Sequence, residues 1–215
     1  MSLLRPSSVV LALSMASCAM SLPSISQAAD TNTSTNKKPN IVVILADDLG
    51  YSDLKSYGSE IDTPNLDQLA SEGLSFSNYH TSASCAPTRA MLLSGVDSHR
   101  AGVANIAEAK TESQADSPFY NGTLNENVVT IATLLKDQGY HTYMAGKWHL
   151  GYKEPKLRPI NRGFEQTVMM PYSGADNWQQ RSYLPNYPKA EWFANGKNFT
   201  LPDDFYSSKF IVDKS

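Results

Sequence analysis

The chain reads as an α/β protein built on a central, largely parallel sheet flanked by helices. Three observations predict this. Residues 40–46, Asn-Ile-Val-Val-Ile-Leu-Ala, form a continuous β-branched apolar run, the pattern of a parallel strand buried on both faces. Helix signals then alternate with strand signals along the chain, the order that favours parallel pairing through helical crossovers. Polar clusters follow two of the expected strands, Asp47-Asp48 after the first and Lys147-Trp148-His149 after a later one. Those strand ends are where open α/β sheets gather ligands.

Taken in order, residues 63–73 carry a capping Thr63, Pro64 at the first helical position, an acidic first turn and a terminating Gly73, which predicts a short helix. Residues 74–79 alternate apolar and polar, as a strand exposed on one side would. Residues 87–94 read as a second helix closed by Gly95. Residues 130–139 read as a third, with Ile131, Leu134 and Leu135 on one face. A strand over residues 140–145 follows. From residue 152 to 205 the pattern dissolves into prolines, aromatics and isolated charges, predicting long surface connections. Ser207-Ser208 resembles a helix start, and the chain ends at Ser215 with no C-capping signal, so the sequence reads as interrupted.

The first 28 residues have one charge, Arg5, an apolar stretch from Val9 to Met20 and a small-residue exit at Ala28-Ala29, the layout of a secretory signal peptide. That stretch is shorter than the roughly 20 residues a membrane span needs, and no later segment reaches that length. Residues 29–38 are polar and predict a flexible leader, leaving 39–215 as the folded part. Export to a bacterial periplasm or the medium is expected. A competing reading makes Cys18 a lipoprotein acylation site, although Met15 is a poor fit there. Cleavage after Ala28 leaves Cys85 as the one mature cysteine, so no intramolecular disulfide forms. The net charge of −3 argues against nucleic acid as a partner, and any anionic substrate must be held by local cations.

Cys85 opens an expected helix in the stretch Ser-Ala-Ser-Cys-Ala-Pro-Thr-Arg-Ala-Met-Leu-Leu-Ser-Gly, residues 82–95. A cysteine alone is more often a small buried hydrophobe. Here Pro87 fixes the helix start, whose free amides and dipole attract anions, and Arg89 adds a permanent cation one turn on. An unmodified thiolate would also be activated there, so a plain cysteine nucleophile or redox sensor is the nearest rival. Asp47 and Asp48 offer hard carboxylate oxygens suited to calcium or magnesium, although an Asp-Asp pair alone reads as an acidic turn. Lys147 and His149 lie two apart, so a continuing strand would aim both to one side, with Trp148 facing away to pack. His80, His99 and His141 have no spacing that gathers with Cys85 as a zinc site.

Cys-x-Pro-x-Arg at a helix start resembles the maturation signature of the type I sulfatases, and other landmarks recur in that family's order. They are residues 40–50, the Thr-Pro-Asn-Leu-Asp of 63–67, the block 82–95 and Gly-Tyr-His-Thr-Tyr-Met-Ala-Gly-Lys-Trp-His-Leu-Gly of 139–151. Ser94 departs from the usual threonine. The resemblance is greatest to bacterial arylsulfatases. It implies the alkaline-phosphatase-like sandwich, C-terminally truncated, and hydrolysis of small-molecule or glycan sulfate esters. It further implies that Cys85 is oxidised by a maturation enzyme to formylglycine, whose hydrate is nucleophile and calcium ligand beside Asp47 and Asp48. Arg89 and His149 would hold that hydrate and Lys147 the sulfate. Two alternatives accompany it: an inactive truncated fragment, and a phosphonate or phosphate monoester hydrolase of the same superfamily.

Overall fold

The structure, a computed structural model, describes residues 37–184 and 187–215. The signal peptide, most of the leader and Cys18 lie outside the described residues. The chain divides into Met1–Ile44 and Leu45–Ser215. In the first unit the described residues have no regular structure and are exposed.

The second unit contains four helices and four strands among its described residues: α1 (Pro64–Glu72), α2 (Cys85–Ser94), α3 (Ile131–Asp137), β1 (Tyr143–Lys147), β2 (Gln166–Met170), β3 (Trp192–Ala194), β4 (Lys197–Phe199) and α4 (Ser207–Asp213). They make one sheet in the order β1-β2-β3-β4. β1 and β2 are parallel, with Tyr143 opposite Gln166 and Lys147 opposite Met170. β2–β3 and β3–β4 are antiparallel. The sheet is therefore mixed, with its parallel pair beside the polar cluster at the end of β1.

Successive strand residues face opposite sides, and both sides of this sheet are covered. Met169 and Phe193 belong to one buried cluster with Ala86 and Ala90 of α2 and with Trp148. Their neighbours Met170 and Trp192 belong to a second cluster with Phe205 and with Phe210 of α4. Trp192 meets Phe210 edge-on, with ring centroids 5.6 Å apart, a geometry that adds about 0.5–1.5 kcal/mol beyond area burial. Helices on both faces of an open sheet are the α/β arrangement expected from the sequence.

Three helices stand where their caps placed them, with local differences. Thr63 does not cap α1 through its side chain. Its hydroxyl donates to Asp67 Oδ1 at 3.1 Å and accepts from the Lys55 amide. α2 begins at Cys85, two residues before the expected start, because Pro87 still falls among the first four positions whose N–H groups have no helical partner. It ends at Gly95 in the left-handed region, φ +66°, whose N–H bonds to the Met91 carbonyl. In α3 the expected apolar face is outward: Ile131 and Leu134 are exposed and Ala132 is buried. The reason is a close backbone approach. Gly163, at φ +99°, sits so near α3 that a Cβ there would lie 2.3 Å from the Thr133 amide nitrogen, so the small side of the helix docks.

Other expectations fail. Residues 40–46 are not a strand, and Val42 and Ile44 are each 80% exposed. A doubly buried strand needs neighbours that take its N–H and C=O groups, and no described strand pairs with this run. Residues 74–79 form coil and a turn, with Leu74 88% exposed, for the same lack of a ladder partner. The strand expected at 140–145 begins at Tyr143 and runs on through Lys147. Residues 152–205 hold three strands, not connections alone. The β3–β4 hairpin turns on Asn195 and Gly196, with φ of 48° and 77°, the positive pair that a tight hairpin turn requires. No helix of the described residues is long and apolar enough to cross a membrane.

Candidate functional site

α2 presents its first residue to the end of β1. Cys85 Sγ lies 3.3 Å from His149 Nδ1. His149 does not reach this place by strand alternation, because β1 ends at Lys147 and His149 adopts the left-handed region at φ +56°. A non-glycine residue there costs roughly 1–2 kcal/mol, strain of the kind that collects at functional sites. Between them Trp148 packs inward, fully buried, its Nε1 donating to the carbonyls of Gly151 and Leu157. The turn is thereby anchored on one side while its histidine faces the thiol.

Burial pushes the Cys85 thiol up. The hydrogen bond and charge of His149, and then the charge and hydrogen bond of Lys147, outweigh it and bring the group down to about 6. His149 is lowered by burial but raised more by its bonds to Cys85 and Glu108, so it stays above the ordinary imidazole range. Glu108, from the short 3-10 turn Ala107–Ala109, holds Nε2 of His149 at 3.1 Å. Sequence reasoning missed this residue. A single acid between alanines in a loop carries no period or motif, and only the fold brings it to a histidine 41 residues away.

Arg89 is one helical turn after Cys85 and so shares its face. Its Nη1 donates to the Lys147 carbonyl at 2.7 Å and its Nη2 to Asp47 Oδ1 at 3.2 Å. Its Nε is buried with no partner. Lys147, whose side chain is 8% exposed, reaches both Asp47 oxygens at 3.1 and 3.0 Å. Cys85, His149, Lys147, Arg89 and Asp47 thus form one connected cluster at the carboxyl end of β1. Asp48 is adjacent in sequence but exposed, at φ +53°, and takes no hydrogen bond or ion pair from the cluster.

Asp47 and Asp48 have the right chemistry for a hard divalent cation, but both Asp47 oxygens face ammonium or guanidinium groups. Among the described residues no three acidic, histidine or cysteine side chains gather as a metal site. Calcium takes about six to eight oxygens, so these residues fit it in donor type and fall short in number. The unpartnered Arg89 Nε fits a different group. It is a buried donor on the helix face that Arg89 shares with residue 85, and an added oxygen acceptor within its reach would satisfy it.

Comparison with known proteins places the chain in a family. The sulfatase family model matches residues 39–215. An uncharacterized sulfatase of Schizosaccharomyces pombe is 44% identical over 189 residues, covering 83% of this chain and 34% of that protein. The arylsulfatase of Klebsiella aerogenes is 38% identical over 184 residues, covering 85% of this chain and 39% of that enzyme. The crystal structure of Ps i-CgsB superposes with a TM-score of 0.65 at 31% identity, over 81% of this chain and 39% of that one. BT4656, solved with its substrate D-glucosamine-2-N,6-O-disulfate, gives 0.62 at 27% identity, over 83% of this chain and 30% of that one. The chain spans between a third and two fifths of the two curated relatives' lengths. With the family model matching from Pro39 to Ser215 and the α/β architecture shared with solved sulfatases, this chain belongs to the sulfatase family.

Proposed function

We propose that residues 39–215 are the N-terminal part of a sulfuric ester hydrolase of the arylsulfatase type. In this reading Cys85 is oxidised to formylglycine by a maturation enzyme that acts on the segment before it folds. The observation that carries the reading is the pairing of Cys85 with His149 at 3.3 Å, one turn from Arg89 with its unpartnered buried Nε. Carried as a hydrated aldehyde, residue 85 supplies two hydroxyls on one carbon, one to attack sulfur and one to help expel sulfate, which a serine lacks. Arg89 Nε donates to one of these oxygens and orients it. His149 Nδ1, in the position where it meets Sγ, exchanges a proton with the other. Lys147 supplies a fixed positive charge for the sulfate oxygens, placed before reaction so that little reorganisation is needed.

Calcium, when bound, would add Lewis-acid stabilisation of the anionic ester, and Asp47, Asp48 and residue 85 are the residues that would hold it. Their shortfall in donors supports the further expectation that this chain alone turns over slowly. Substrates are sulfate monoesters of an alcohol, phenol or glycan, and the signal-peptide pattern of residues 1–28 supports export.

Mass spectrometry of the Cys85 peptide after co-expression with a maturation enzyme tests the central step. The aldehyde mass is expected, together with sulfate release from an aryl sulfate that Cys85→Ala abolishes. An unmodified thiol mass overturns the reading. Matched aryl phosphate and phosphonate esters, each with and without calcium, decide the ester class.

A further inference from the structure

Glu108 is a built carboxylate, not a passing surface acid. Its side chain is 14% exposed, against 5% for His149. The main-chain N–H groups of Glu108 itself and of Ser173 help the imidazole to hold its carboxyl below the ordinary range, against the opposing effect of burial. The turn that carries it is fixed from below by Gly122, at φ +71°, where an added Cβ would lie 2.7 Å from Ala107 Cβ. An ionised carboxylate only accepts hydrogen bonds. With Oε2 3.1 Å from Nε2, the proton on that side of the ring is pinned to Nε2, and Nδ1 is left facing residue 85 at 3.3 Å.

We infer that Glu108 is a positioning residue that holds His149, at Nε2, in the one ring orientation that turns Nδ1 to residue 85. It touches neither residue 85 nor the ester and acts through His149 alone. The inference rests on the proposed role of residue 85 for its catalytic consequence, while the ring lock itself is a property of the unmodified chain.

The test uses the 215-residue chain labelled with ¹⁵N-histidine, read by long-range ¹H–¹⁵N correlation at one fixed pH. Wild type is expected to show a protected Nε2–H for His149. Glu108→Leu, with circular dichroism unchanged, is expected to lose that protected proton and give an averaged ring. Glu108→Gln, which keeps an acceptor but not the charge, is expected to retain the proton with a smaller downfield displacement, and this near-isosteric variant decides if the leucine variant does not fold. A wild-type spectrum in either variant overturns the lock. In matured protein, Glu108→Leu should lower kcat about a hundredfold, the scale of a misplaced catalytic group, with KM little changed and Gln restoring most of it. A change in KM alone overturns the role. If Cys85 stays a thiol while the ring signals still depend on Glu108, the hydrolase reading fails and the lock stands.

Discussion

At the scale of single residues, the site is governed by charges converging on one sulfur. Cys85 is half-buried, and desolvation alone would raise it; the partners His149 and Lys147 reverse that and set the thiol near 6. The sign follows. A folded value below the unfolded 9.0 stabilises the fold fully above that value, and the contribution fades as pH falls through about 6. For the unmodified, metal-free chain, iodoacetamide alkylation of Cys85 is therefore expected to have its midpoint near pH 6, and His149→Ala should move it upward. A wild-type midpoint near 9 would show that the His149 contact does not form. The sequence disclosed Cys85, Arg89, Lys147 and His149 because a motif binds their identities to their spacing. It was silent on Glu108 because loop closure, not periodicity, brings that side chain to the histidine.

At the scale of elements, glycine and proline punctuation made α1, α2 and α3 legible, whereas the strands were read less well. The hairpin of β3 and β4 was within reach: Asn195-Gly196 after the apolar Trp192-Phe193-Ala194 is a local turn signal, and the prolines of the surrounding stretch masked it. The face of α3 was not within reach, since a single glycine 26 to 32 residues downstream decides it through backbone proximity. Two glycine substitutions separate these effects. Gly95→Ala ends α2 at φ +66° in open space, so it should cost only the left-handed conformation, about 1 kcal/mol. Gly163→Ala places its methyl against the Thr133 amide at 2.3 Å as well as in a left-handed backbone, and should cost more than about 2 kcal/mol. Urea unfolding followed by circular dichroism checks the ranking. Equal losses would mean that α3 and the Gly163 turn separate without penalty.

At the scale of the whole molecule, the buried sandwich around β2 and β3 coexists with apolar segments that face water. The sequence read residues 40–46 as an interior strand because nothing local distinguishes a strand with partners from the same residues without them. Pairing is a non-local property, and it decides whether such a run is core or surface. Val42 and Ile44, each 80% exposed, are apolar side chains in water, and so, in the second unit, are Leu74 and Phe76. An unpaired β-branched run also leaves main-chain donors and acceptors open to another copy. The chain is accordingly expected to bind a hydrophobic dye and to self-associate as concentration rises. Val42→Lys with Ile44→Lys should suppress both while leaving the melting temperature within about 2 °C, because side chains already in water contribute little to the folded core. Light scattering across a concentration series, alongside a thermal melt, reads the two effects separately. Unchanged association with a lowered melting temperature would mean that residues 42 and 44 are buried in solution, and that the run has found a partner within the chain.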